Sequence, residues 1–350
     1  MRLFAGFLIV VLLTCCGRNK DEVQRTYTAI EKELVFGDSL SIRAIIPLDE
    51  NRVWFAGNLG KIGLIDGKTP KIAEIRYEDS LLHFRAVAKT KNSFFALSIA
   101  NPAVLYKIGF DGIEATSMEE VYFESNEKVF YDAMTFWNDR EGIAMGDPTE
   151  DCLSIIITRN GGNSWEKVPC EKLSPIEERE VAFAASNSNI SIINEKIWMI
   201  SGGTKSRVYF SEDKGKTWEI YETPLVQGKP TTGGYSIDFY DENKGFIIGG
   251  DYTQPEENQK NKAISTDGGK TWSLVSRGNP PGYKSCVQFA PNQEGKKLIA
   301  VGPSGISASI DEGKTWKKIS DEGFYTLRFL DDSTAYAAGK NKISKIAFKW

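Results

Sequence analysis

Four stretches decide the fold: Thr158-Arg159-Asn160-Gly161-Gly162-Asn163-Ser164-Trp165, Ser211-Glu212-Asp213-Lys214-Gly215-Lys216-Thr217-Trp218, Ser265-Thr266-Asp267-Gly268-Gly269-Lys270-Thr271-Trp272 and Ser309-Ile310-Asp311-Glu312-Gly313-Lys314-Thr315-Trp316. They follow Ser/Thr-x-Asp-x-Gly-x-Thr/Ser-Trp, the Asp-box, with Asn160 in the acidic place of the first. The pattern has a local mechanism. An Asp or Asn side chain accepts backbone N–H bonds within a tight turn. Glycine takes φ > 0 there without a Cβ penalty, and the indole packs under the hairpin. Asn160, Asp213, Asp267 and Asp311, with Trp165, Trp218, Trp272 and Trp316, are therefore expected to be structural rather than catalytic.

The four tryptophans fall 53, 54 and 44 residues apart, the period of a propeller blade with loops of varying length. Between the boxes lies a second pattern, a turn rich in Asp, Asn and Glu followed by a short apolar strand ending in a small residue. Asp49-Glu50-Asn51-Arg52-Val53-Trp54-Phe55-Ala56-Gly57 and Asp241-Glu242-Asn243-Lys244-Gly245-Phe246-Ile247-Ile248-Gly249 are examples. Equivalent endings at Ser98, Gly146, Gly202, Gly302 and Gly339 bring the count to seven units, three of them without a clear box. Each unit reads as inner strand, turn, second strand, loop, third strand, box hairpin and outer strand. The prediction is an all-β chain, a seven-bladed β-propeller of four-stranded antiparallel blades over residues 34–350. The last unit runs out after Ile343 to Phe348. Glu33-Leu34-Val35-Phe36 has no blade of its own and is expected to supply the missing outer strand, which removes an exposed edge. Helix content should be very low.

Composition narrows the function. With 41% hydrophobic and 26% charged residues the chain has the balance of a globular protein. A net charge of −4 argues against nucleic acid. One histidine and five cysteines leave little for a zinc site or a Ser-His-Asp triad, so no metal and no cofactor is expected. His83 reads as a partly exposed structural residue.

The N-terminus reads as an address. Met1-Arg2 and the apolar run Leu3 to Leu13 form a segment too short for a bilayer span. Leu13-Thr14-Cys15-Cys16 resembles a bacterial lipobox, with Cys16 the lipid acceptor and Cys15 the alternative. This gives a signal peptide over 1–15 and a polar tether over 16–33. Lys20-Asp21-Glu22 looks like the export signal of Bacteroidetes surface lipoproteins. The expected location is the cell envelope, held to the outer membrane by lipid alone, on the periplasmic or the surface side.

The repeat grammar resembles the Ycf48/HCF136-like propellers, photosystem II assembly factors with bacterial relatives. Arg43-Ala44-Ile45 followed by Asp49-Glu50-Asn51, Gly245-Phe246-Ile247-Ile248-Gly249, and the boxes with Gly-Lys-Thr-Trp carry the likeness, which spans about residues 34–350. It implies a non-enzymatic scaffold that binds a protein partner. Asp-boxes also occur in sialidases, so the alternatives are a sialidase-like glycoside hydrolase or a glycan-binding propeller. Arg43-Ala44-Ile45-Ile46-Pro47 is only a distant echo of the Arg-Ile-Pro motif of sialidases, and the later blades hold few arginines.

Topology selects the binding face. The turn after strand one and the box turn share one face; the loops after strand two and the blade-to-blade linkers share the other. The second set is long and varied, as in Glu171 to Glu180, Thr223 to Gly234 and Tyr252 to Lys262. Variable loops on a rigid scaffold are the usual place for binding. Arg43, Arg85, Asp132, Tyr235 and Tyr325 start inner strands beside that face, and Asp147 and Asp251 end second strands there. These seven are the candidate binding residues, with Arg43 and Arg85 meeting an acidic group of the partner through their planar forks.

Cys152 lies six residues before Thr158, and Cys170 five after Trp165. Nearly equal offsets across an antiparallel turn place the two opposite each other, within disulfide range. A bridge is expected there, while Cys286 stays reduced and buried.

Overall fold

The computed structural model describes residues 29–350; the lipobox, Cys16 and Lys20-Asp21-Glu22 lie outside them. Seven four-stranded antiparallel sheets form a ring, one of them extended by two short strands. The blades, numbered 1 to 7, begin with inner strands at Ile42–Pro47, Phe84–Lys89, Tyr131–Phe136, Ile190–Ile193, Thr232–Phe239, Cys286–Phe289 and Thr326–Phe329. The fold is a seven-bladed β-propeller. Among the described residues helical structure is limited to one 3-10 turn, Cys170–Lys172.

Ring closure starts earlier in the chain than the sequence suggested. The strand Ala29–Phe36 pairs antiparallel with Lys342–Lys349, from Ala29 opposite Lys349 to Phe36 opposite Ile343. Residues 29–32, expected in the tether, belong to blade 7 with the predicted Glu33-Leu34-Val35-Phe36. An outer strand needs no apolar face, so a charged run can form it; Glu31 meets Lys349, Lys32 meets Glu322 and Glu33 meets Lys68.

The core lies between blades rather than within them. Trp54 of blade 1 stacks on Phe94 of blade 2, centroids 4.7 Å apart, and Trp198 of blade 4 on Phe239 of blade 5 at 3.8 Å. Strands buried on both faces read as apolar runs, as Ser93–Ser98 and Leu298–Gly302 do.

The repeated turns close on themselves. Ser211 Oγ donates to Asp213 Oδ1 at 2.8 Å and accepts from Gly215 N at 2.8 Å. Asp213 also accepts from Thr217 N at 2.9 Å and from Thr217 Oγ1 at 2.8 Å. The same set recurs around Asp267 and Asp311. In the first turn Asn160 Oδ1 still accepts from Ser164 N, at 3.1 Å, while its Nδ2 donates to Ser164 Oγ at 2.9 Å. The last bond keeps its place and reverses its donor, so the amide substitutes without loss of the turn. The box glycine has φ +80° at Gly313, and a Cβ there would lie 2.2 Å from Phe246 of the preceding blade. Glycine is required for conformation and for blade contact together.

Cys152 and Cys170 are joined, Cα atoms 5.5 Å apart. The flanking register pairs Ile156 with Lys167, one residue off direct opposition for the cysteines, and the 3-10 turn at Cys170 takes up the difference. Cys286 is buried and free. In unreduced, denatured protein, alkylation is expected to label Cys286 and neither of the pair. Opening the bridge should cost about 3 kcal/mol by the chain-entropy estimate, read as a lower urea midpoint in reductant.

The linker between blades 3 and 4 does not run over the surface. Residues 182–189 are buried except for part of Phe183, and they cross the axis of the ring. Asn187 Nδ2 donates to Val87 O of blade 2, and its Oδ1 accepts from Met134 N of blade 3, both at 2.9 Å. Ser188 Oγ meets Ser236 of blade 5 and Ser186 Oγ meets Ser285 O of blade 6. Thr326 and Arg328 of blade 7 donate to Ser186 O, and Arg43 of blade 1 to Ala185 O. The chain then continues into blade 4 at Ile190. This plug divides the axial channel into two chambers.

Just before the plug, Glu180–Val181 pairs with Gly202–Gly203. Glu180 is fully buried. It accepts from Arg207 Nη2 at 2.5 Å, Arg207 Nε at 3.1 Å, Tyr209 Oη at 2.9 Å and Ser201 Oγ at 2.5 Å. The charge is paired and its lone pairs are filled, the condition under which a buried ion is tolerated.

Candidate ligand pocket at the channel mouth

In four blades the first strand carries its pore-mouth residue on a β-bulge. In blade 1 the pairing skips from Ile42 to Ala44, in blade 2 from Phe84 to Ala86, in blade 3 from Tyr131 to Ala133 and in blade 5 from Gly234 to Ser236. The skipped residues are Arg43, Arg85, Asp132 and Tyr235. In blades 6 and 7, Ser285 and Tyr325 stand one residue before the paired run. A bulge re-aims a side chain, here toward the axis.

A cavity of about 530 Å³ opens at this mouth, on the loop-rich face. Arg43, Arg85, Tyr235, Ser285 and Tyr325 line it, with the plug residues Phe183 to Ala185 forming its floor. Tyr252, exposed at the rim, and the buried Tyr283 complete its aromatic wall. Phe183 stacks on Tyr235 with centroids 3.9 Å apart, and Tyr283 meets Tyr235 edge-on at 4.8 Å. The Arg43 guanidinium lies 4.1 Å from the Tyr325 ring centroid, a cation–π contact that fixes its plane. Arg85 reaches toward His83 Nε2 at 3.5 Å and lies 5.9 Å from the Phe130 ring centroid. Neither arginine forms an ion pair with a described residue. Burial, then Arg43, lowers Arg85 to about 10, so it stays protonated at neutral pH. Burial and the two arginines push His83 down to about 4, leaving it neutral.

Of the seven candidate binding residues, Arg43, Arg85, Tyr235 and Tyr325 come together in this cavity. The three aspartates do not line it. Asp132 is fully buried beneath the plug. Asp147 accepts from Ala182 N at 2.8 Å. Asp251 is buried and accepts from Thr253 N at 2.9 Å and Thr253 Oγ1 at 2.6 Å. Each carboxylate at these positions serves the backbone of its loop or faces the plug. Phe183, Tyr252 and Tyr283 were missed; the signal available was weak, since Tyr252 opens one of the loops marked as variable but Phe183 lies three residues past another.

The chamber on the other side of the plug is lined by Asp238, Gln288 and Arg328 among others. Burial raises Asp238 to about 7, although it accepts from Phe289 N at 2.7 Å.

The fold and this mouth define a closed propeller with a blocked axis and a cationic, tyrosine-lined pocket. The family model described as Sortilin, neurotensin receptor 3, matches residues 153–280, blades 3 to 5. No curated protein matches the chain in sequence. Among solved structures, Ycf48 bound to a D1 peptide superposes with TM-score 0.66 at 14% identity, over 92% of this chain and 95% of that one. Ycf48 from Cyanidioschyzon merolae gives 0.61 at 14%, over 91% and 98%. A GH74 xyloglucanase from Xanthomonas campestris gives 0.63 at 13%, over 90% of this chain and 53% of that one. At such identities the likeness is one of fold.

Proposed function

We propose that this protein is a non-enzymatic scaffold that binds a protein partner at the channel mouth, anchored in the cell envelope by lipid on Cys16. The observation that carries the reading is the pocket: two half-buried arginines without carboxylate partners, held among tyrosines on the loop-rich face. Arginine there meets an acidic group of the partner bidentately, and the tyrosines add contact area at low entropic cost. The Ycf48 structure with a bound D1 peptide supports a peptide as the kind of partner such a propeller takes. The xyloglucanase neighbour keeps a glycan as the second reading, since a tyrosine wall also suits sugar stacking.

Cross-linked pull-downs from envelope extracts with the full chain test the first reading, and glycan arrays the second. The expected outcome is one enriched envelope protein and no glycan signal. Robust turnover of sialosides or aryl glycosides, lost in Asp132→Ala or Tyr325→Phe, would overturn the non-enzymatic assignment. For the anchor, labelled palmitate is expected in wild type and absent from Cys16→Ala; loss on Cys15→Ala alone would move the acceptor to Cys15.

A further inference from the structure

Asp132 occupies the same bulge position as Arg43 and Arg85, but it is the one acid among these mouth residues and the plug covers it. Neither of its oxygens accepts a well-formed hydrogen bond, and the Ala184 amide is the donor that acts on it. Asp147 follows Gly146, the partner of Tyr131, and is near enough for its charge to act on Asp132; its own carboxylate takes the Ala182 amide at 2.8 Å. Its neighbour around the ring, one blade back, is Arg85. We propose that Asp132 and Asp147 form a charge regulator behind the pocket: the proton they hold or release sets how strongly Arg43 and Arg85 grip an anionic group. This rests on the reading of the pocket as an anion site.

Two adjacent buried carboxylates do not both ionise readily. Burial, then Asp147, raises Asp132 well above the carboxylate range, with Arg85 opposing. Burial raises Asp147 to about 6. Below that pH the pair is neutral and Arg85 faces the pocket unopposed. Above it the pair carries negative charge, which competes with a bound anion for Arg85. Anion affinity therefore falls as pH rises through about 6. The other groups facing the arginines hold their charge across this window: His83 is neutral, Arg85 is protonated, and burial raises the Tyr283 phenol further. Tyr325 contributes its ring face to Arg43. One charge acting over several ångströms in a half-buried site is worth on the order of tenfold in affinity.

Sulfate is the probe, because it keeps its charge between about pH 5 and 8. Its affinity for the full chain, followed by calorimetry or amide shifts, is expected to be about tenfold tighter at the acid end for wild type. Asp132→Asn/Asp147→Asn, which leaves no ionisable group in the pair, should hold the tight value throughout, with less than about a twofold change. Asp147→Asn alone, which removes the group that ionises near pH 6, should do the same, and its amide oxygen can still accept the Ala182 N–H, so it serves if the double variant does not fold. Arg43→Ala/Arg85→Ala should abolish binding. A flat wild-type profile, or the wild-type slope retained in both Asn variants, overturns the regulator and leaves the arginine pocket standing. Absence of sulfate binding by wild type at every pH, or its persistence without the arginines, overturns the anion-site reading itself.

Discussion

Replacing Glu180 with alanine is expected to destabilise the protein by about 3–5 kcal/mol, the cost of leaving a buried charge without its partner. Arg207 is only 8% exposed, so water cannot take over from the lost carboxylate. Tyr209 and Ser201 lose an acceptor in the same step, each a buried donor with its own desolvation penalty. The pair Glu180→Met/Arg207→Met should recover most of the loss, because removing both charges removes the unpaired ion as well. Urea unfolding followed by tryptophan fluorescence checks both. A single-variant loss below about 1 kcal/mol would show that the pair is solvated like a surface bridge. Glu180 also leads into the plug, so Glu180→Ala should weaken partner binding as a secondary effect.

Arg43→Ala and Arg85→Ala are each expected to weaken partner binding by about 10- to 100-fold, the range of a charge-assisted bond lost from a partly desolvated site. Arg→Lys should recover only part of this, since an ammonium lacks the planar fork. The effect on stability should be small. Arg43 gives the fold one bond to Ala185 O, at 3.2 Å, and Arg85 one long contact to His83. Affinity measured by surface plasmon resonance against the captured partner, beside thermal unfolding of the same variants, separates the two outcomes. Equal loss of affinity and stability would mean that the arginines hold the plug rather than the ligand.

The fold was legible because its signals are local and repeated. Three turns carry the same residues for the same hydrogen bonds and a fourth a close variant, and in most blades the apolar second strand ends in a small residue where the next element comes close. The inner-strand starts were found for the same reason. What sequence could not distinguish was Arg43 from Asp132, which share a bulge position but differ in cover. The difference is made by Ala184, distant in sequence from the first and covering the second. The plug itself, Phe183-Ala184-Ala185-Ser186-Asn187-Ser188-Asn189, has the composition of a loop. Small polar residues suit both a solvated connection and a chain packed among backbone groups. Only its partners, 142 residues away at Arg43 and 140 at Thr326, distinguish the two. The closing strand was placed late because Glu31, Lys32 and Glu33 are charged, and an outer strand tolerates charge.

Propellers commonly vary by duplicating or deleting a blade, since each blade touches only its neighbours. The axial segment removes that freedom here. Its hydrogen bonds reach blades 1, 2, 3, 5, 6 and 7 at once, and it leads covalently into blade 4. An added blade would widen the ring and pull these spokes off their hub; a lost one would leave no room for it. Blade number is thus fixed by seven residues of linker, and recombination among such genes should exchange loops on the binding face far more readily than whole repeats.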